Sequence, residues 1–134
     1  MKKIIIIVLA LLVVGGVAVF MFVLPKEEGP EPRSLYTPGD YFVTNDKDGK
    51  NMVKTTIVLE VNKKADDEEF KTFMDENQPK IRDTIVFILR SKSLDELRSQ
   101  DIKTVLTSEI VQAINEALEI DNVKTIYFND YVVQ

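Results

Sequence analysis

Cysteine and histidine are both absent from this 134-residue chain. Without cysteine there is no disulfide to staple the fold, no thiolate nucleophile and no point for lipoprotein-type lipid attachment. Without histidine the commonest catalytic base is gone, and with both missing so are the usual ligands of zinc, copper and haem iron. These residues point to no metal and no cofactor. Positive charge is also short, with 17 Lys and Arg against 22 Asp and Glu and a net charge of −5. Setting aside Lys2 and Lys3 at the amino terminus, 15 basic residues face 22 acidic ones, a net −7. A body of that sign has no long-range attraction for nucleic-acid phosphates or anionic lipid headgroups.

Charge of either sign is missing altogether from Ile4 to Leu24. At about 1.5 Å per residue, a helix of that length reaches roughly 30 Å, enough to cross a hydrocarbon core. A cleaved signal peptide is the competing reading, with Gly16 and Ala18 imitating a small-residue cleavage site. Such peptides have an apolar core of about 7–15 residues with the cleavage site beyond it, whereas this run continues to Leu24. An uncleaved anchor is the better reading. Lys2 and Lys3 place residues 1–3 in the cytoplasm and the body outside, because basic flanks stay cytoplasmic. Gly15-Gly16 does not have small-xxx-small spacing and reads as ordinary membrane glycine. Residues 25–38 follow as a linker with Pro25, Pro30, Pro32 and Pro38, an extended, fairly stiff connector. Residues 39–134 are the extracytoplasmic domain, long enough for one apolar core.

Within that domain Tyr41 to Thr44 is β-prone, and Met52 to Asn62 alternates as a half-buried strand, with Val53, Ile57, Leu59 and Val61 on one parity. Asp48-Gly49 between them is a hairpin signal. Asp46 and Asp48 ahead of a glycine invite a calcium loop. In that register Thr44 and Thr55 would occupy the places of the first aspartate and the bidentate glutamate, so a solvated turn is the better reading. Helical spacing runs from Ala65 to Lys92 through Phe70, Phe73, Met74, Ile81, Ile85, Ile88 and Leu89. Pro79 either kinks this helix or opens a second one. Ser93 and Glu96 have capping-box spacing ahead of a short helix, Leu94 to Arg98. A long amphipathic helix covers about Asp101 to Glu119, and Val123 to Val133 is a closing strand. The order predicts an α+β domain, with helices layered on a sheet that joins the last strand to the first.

Three stretches together resemble the flagellar basal body-associated FliL family: the uncharged amino-terminal span, NQPKIRDTIVFILRSKSLDELRS from Asn77 to Ser99, and VKTIYFNDYVVQ from Val123 to Gln134. TTIVLEV from Thr55 to Val61 is similar too, and Asn129 stands where the family often has threonine. The resemblance implies a single-pass inner-membrane protein of the flagellar basal body with a periplasmic domain of the SPFH (stomatin/prohibitin) type. It also implies a homo-oligomeric ring around the stator proteins MotA and MotB, with basal-body ring or rotor proteins as further partners. The implied role is structural, supporting torque, swimming and swarming, and the protein is expected not to be an enzyme.

Two other classes compete. A hydrolase would use acid pairs such as Asp66-Asp67 or Asp95-Glu96, or a serine–lysine pair among Ser91, Lys92 and Ser93. Acids at helix starts serve more often as caps and dipole partners, and sequence neighbours on a helix do not face each other. A membrane-tethered scaffold or adaptor unconnected with motility is the second. Ring closure needs two different faces on each domain. The candidates are Lys80, Arg82 and Asp83 on one helix and Glu109, Gln112 and Glu116 on the other.

Overall fold

A computed structural model describes residues 1–23 and 29–134, leaving aside the side chains of residue 11 and residues 18–23. The chain divides into two units, Met1–Pro30 and Glu31–Gln134. The first contains helix α1, Lys2–Val23. Over the described side chains, no helix is long and apolar enough to cross a membrane. The expected far end of the span at Leu24 and the first part of the connector, residues 25–28, lie outside the described residues.

The second unit contains β1 (Ser34–Tyr36), β2 (Phe42–Asn45), β3 (Met52–Val61), α2 (Glu68–Glu76), α3 (Gln78–Arg90), α4 (Leu94–Leu97), α5 (Ile102–Leu118) and β4 (Val123–Val133). All strand pairs are antiparallel, giving the expected α+β class. β3 is the centre of the sheet. β4 lies along one of its edges, pairing from Val53 to Val61. The other edge is shared end to end, with β2 against residues 52–55 and β1 against residues 59–61.

β1 falls within the stretch read as linker. Pro32 and Pro38 bracket it, and short edge strands accept such neighbours because only one edge needs backbone donors. The packed domain thus begins ahead of residue 39, at Glu31 by compactness.

The parity expected for β3 holds on the core face, where Val53, Thr55, Ile57, Leu59 and Val61 are buried. Phe42 and Ile126 join them from β2 and β4. Helices cover this face: α3 lies against β2 and α5, and α5 lies against β4. Ile81, Ile85 and Leu89 of α3, and Leu106, Ile110 and Ile114 of α5, are at most 1% exposed. Each such side chain contributes about 1.5–3 kcal/mol by leaving water, which is how a domain without disulfides stays folded.

Pro79 breaks the long helix and does not merely kink it. Asn77 ends α2 and precedes α3, with Pro79 in the first turn of α3, where a missing N–H costs nothing. Helix α2 starts later than Ala65, at Glu68, because the Asp67 side chain accepts from Phe70 N–H at 2.9 Å and fixes the boundary there. Ser93 and Glu96 form the reciprocal capping box that their spacing predicts. Helix α5 ends at Glu119, a non-glycine residue in the left-handed region at φ 56°. That conformation crowds Cβ, so Glu119→Gly is expected to stabilise the protein by about 1 kcal/mol, roughly 4 °C in a thermal melt of the detergent-solubilised chain. An unchanged or lower midpoint would contradict the strain.

Candidate functional site

The polar side chains that composition made suspicious are occupied in holding the fold. Asp46, 1% exposed, accepts from Lys50 N–H (3.1 Å), Asn51 N–H (3.2 Å) and the Asn51 side-chain amide (2.6 Å). The Asn51 side chain foremost, with backbone N–H groups of the loop, holds its pKa below the usual range against the opposing effect of burial. A carboxylate enclosed by N–H donors organises the turn and leaves little for a cation. Among the described residues no cluster of acidic side chains could hold a metal ion. Gly49 has the positive φ (71°) that the turn signal required, within a loop of residues 46–51 that is longer than a two-residue turn.

One acid of each candidate pair is likewise in use. Asp67 caps α2, and Glu96 accepts from Ser93 N–H at 2.7 Å, which depresses its pKa. Ser91 Oγ donates to Ile88 O at 2.7 Å, whereas Lys92 Nζ bonds Glu109, so no serine–lysine pair forms among them.

The six candidate interface residues divide. Lys80 and Asp83 stand exposed on α3. Arg82 is bound within the domain: Nη1 donates to Pro38 O (2.8 Å), Nη2 to Tyr41 O (2.9 Å), and the guanidinium lies 4.4 Å from the Phe42 ring centroid. It clamps the β1–β2 loop onto α3. The loop turns at Gly39 (φ 94°), where a Cβ would come within 2.7 Å of Arg82 Nη1. Glu109 is tied to Lys92 at 2.6 Å, while Gln112 and Glu116 bond each other at 2.9 Å on the exposed side of α5. Phe87, off the core stripe of α3, is 62% exposed and extends the stripe of Lys80 and Asp83 by one turn. Its position outside the 81–85–89 series is the sequence signal that marks it.

A second surface comes from the register. Residues directly opposite in antiparallel strands share a face, so Val43, Met52, Tyr127 and Val132 lie on the side of the sheet without helices. All four are more than 40% exposed. Glu60 is on this face yet only 8% exposed. It accepts from Arg33 Nη1 at 2.7 Å and from the Tyr127 hydroxyl at 2.5 Å, joining the entry of the chain to β3 and β4. The Tyr127 hydroxyl, more than Arg33, holds its pKa below 4.5 against the opposing effect of burial.

Residues 35–134 match the sequence profile of the family described as flagellar basal body-associated protein FliL. The chain is also similar to the "Flagellar protein FliL" of Aquifex aeolicus (strain VF5), with 30% identity over 112 residues, 82% of this chain and 67% of that relative.

Two measurements check this geometry. A carboxylate with a depressed folded pKa adds stability above its unfolded pKa, and that stability is lost as pH falls through the folded value. Glu60→Gln is therefore expected to flatten the fall in thermal midpoint on acidification below about pH 4.5; a slope as steep as in the parent chain would remove Glu60 from the acid transition. Arg82→Lys, which keeps the charge and loses the fork, is expected to lower stability by about 1–2 kcal/mol in urea unfolding. An unchanged urea midpoint would show that the clamp contributes nothing.

Proposed function

The chain belongs to the FliL family of flagellar basal body-associated proteins, and on that premise we propose a motor accessory role. In this reading it is a single-pass protein of the inner membrane, with its amino terminus in the cytoplasm. Its periplasmic domain is SPFH-like and assembles into a homo-oligomeric ring around stator units of MotA and MotB. The ring supports their recruitment, stability or active state, and through them torque and motility. The observation that carries the reading is the reach of the family match, which runs from β1 to the carboxy terminus.

Supporting it, the described side chains of α1 from Ile4 onward are apolar and exposed, with Ile4 at 64%, Leu9 at 62% and Val14 at 68%. A helical stretch whose described side chains are apolar all round suits an apolar medium, and a bilayer supplies one. A closed ring joins two different faces of each domain. Phe87 flanked by Lys80 and Asp83 has the composition of such a contact, an aromatic anchor with a charged rim. Gln112 and Glu116 on α5 are the exposed polar groups available for the complementary side. Arg82 enters only through the loop it clamps.

The test is deletion in the bacterium that carries the protein, with complementation by wild type or Phe87→Glu. Deletion is expected to lower swimming torque under high load and the number of stators per motor. Phe87→Glu is expected to fold, by its thermal melt, but to give smaller particles in detergent and no rescue. Wild-type torque and stator number after deletion would favour a tethered scaffold outside motility. Wild-type particle size for Phe87→Glu would sink the α3 contact alone.

A further inference from the structure

Among the described residues, no strand pairs with the outer edge of β4, which is bonded to β3 alone, so an 11-residue strand bounds the sheet. The direction of its backbone groups follows from the ladder. Met52 and Gln134 exchange both bonds, N–H to O at 2.6 Å and 2.9 Å, and antiparallel pairs alternate between exchanging and not exchanging them. Val132 and Asp130, opposite Lys54 and Thr56, therefore turn their N–H and C=O groups toward β3. Val133, Tyr131 and, past the bulge at Asn129, Phe128 turn theirs outward.

At one point the molecule satisfies this edge itself. The Asn115 side chain on α5 donates to Val123 O (2.8 Å) and accepts from Val123 N–H (3.1 Å), imitating one residue of a neighbouring strand. Nothing comparable reaches Phe128, Tyr131 or Val133 among the described residues. Beside them opens an apolar groove of about 230 Å³ between β4 and the first turns of α5, lined by Ile102, Leu106, Phe128 and Tyr131. Its walls are firm: Phe128 and Tyr131 pack edge to face at 5.9 Å, and the Tyr131 hydroxyl donates to Leu97 O at 2.8 Å. Lys103 completes the lining and, among the described residues, has no carboxylate at salt-bridge distance.

We propose that this edge, from Phe128 to Val133, is a docking site for an extended acidic-apolar peptide segment that adds to the sheet as a further strand. Main-chain bonds to the outward groups hold the segment. One large apolar side chain fills the groove, and a carboxylate of the segment pairs with Lys103. This is strand addition, in which backbone bonds supply affinity and alternate side chains supply specificity. The lone cation at an otherwise apolar groove selects the acidic class.

The probe is a fluorescent seven-residue peptide alternating leucine and threonine with one glutamate, titrated into the full-length protein in detergent. Binding is expected to slow amide exchange across residues 126–134. Methylating the peptide's amide nitrogens at alternate positions is expected to weaken binding roughly tenfold for one parity and to leave the other parity little changed. Lys103→Glu, at an exposed position, is expected to invert the preference toward a peptide carrying lysine in place of glutamate. Equal loss with both methylation parities overturns strand addition. Absence of binding overturns the site. Exchange protection that grows with protein concentration in the absence of peptide assigns the edge to a second copy and overturns the peptide proposal. A Lys103→Glu protein that still prefers the acidic peptide overturns the charge assignment.

Discussion

Everything in the folded domain hangs on β3 having neighbours along both edges. Its odd-numbered residues from 53 to 61 point into the core, and their backbone groups serve β2 and β1. The even-numbered backbone groups serve β4. A slip of one residue would turn Ile57 and Leu59 to the helix-free face and Lys54 and Glu60 into the core. The register is thus secured by burial, and the bulges at Lys124 and Asn129 adjust β4 to it. Glu60 illustrates the constraint. It sits where the sheet's open face is crowded by the incoming chain, and its charge is tolerable because Arg33 and Tyr127 satisfy it.

The connections are held by polar clamps where many small domains use disulfides. Asp46 closes the β2–β3 loop, Arg82 pins the β1–β2 loop, Lys92 ties the end of α3 to Glu109 on α5, and Asn115 holds the start of β4. Each such bond adds only about 0.5–1.5 kcal/mol in net terms. Their effect is to single out one arrangement of short loops around an apolar core that supplies most of the stability. Such clamps are insensitive to redox conditions, which suits a chain without thiols.

Periodicity made the core legible. The 81–85–89 series, the capping box at Ser93 and the span of β4 appear in the structure where the residues imply them. What stayed hidden depends on partners distant in the chain. β1 lacks both alternation and length, and only its pairing with residues 59–61 reveals it. Glu60 belongs to the wetter parity and looks solvated until Arg33 and Tyr127 close over it. Arg82 reads as a surface charge because its acceptors, the carbonyls of Pro38 and Tyr41, are backbone groups about 40 residues away. The break at Pro79 was ambiguous for a local reason: proline both disrupts a helix interior and suits a first turn, and the positions of the caps decide between them.

The stretches that resemble the family most specifically are also the ones that meet physically. VKTIYFNDYVVQ lies along TTIVLEV as the β4–β3 pair, and Asn129, the departure from the family pattern, is the extra residue at a bulge. An extra residue opposes no partner, so its side chain is free to vary without disturbing the ladder. The same bulge bears on what the open edge can accept. A flat edge strand invites copies to stack without limit, whereas bulges twist the edge and interrupt its run of outward groups. With Asn115 already occupying one end and Asn129 breaking the middle, the remaining edge suits a short segment and opposes indefinite addition. A domain can keep such an edge open without indefinite stacking only if its geometry ends the pairing after a few residues.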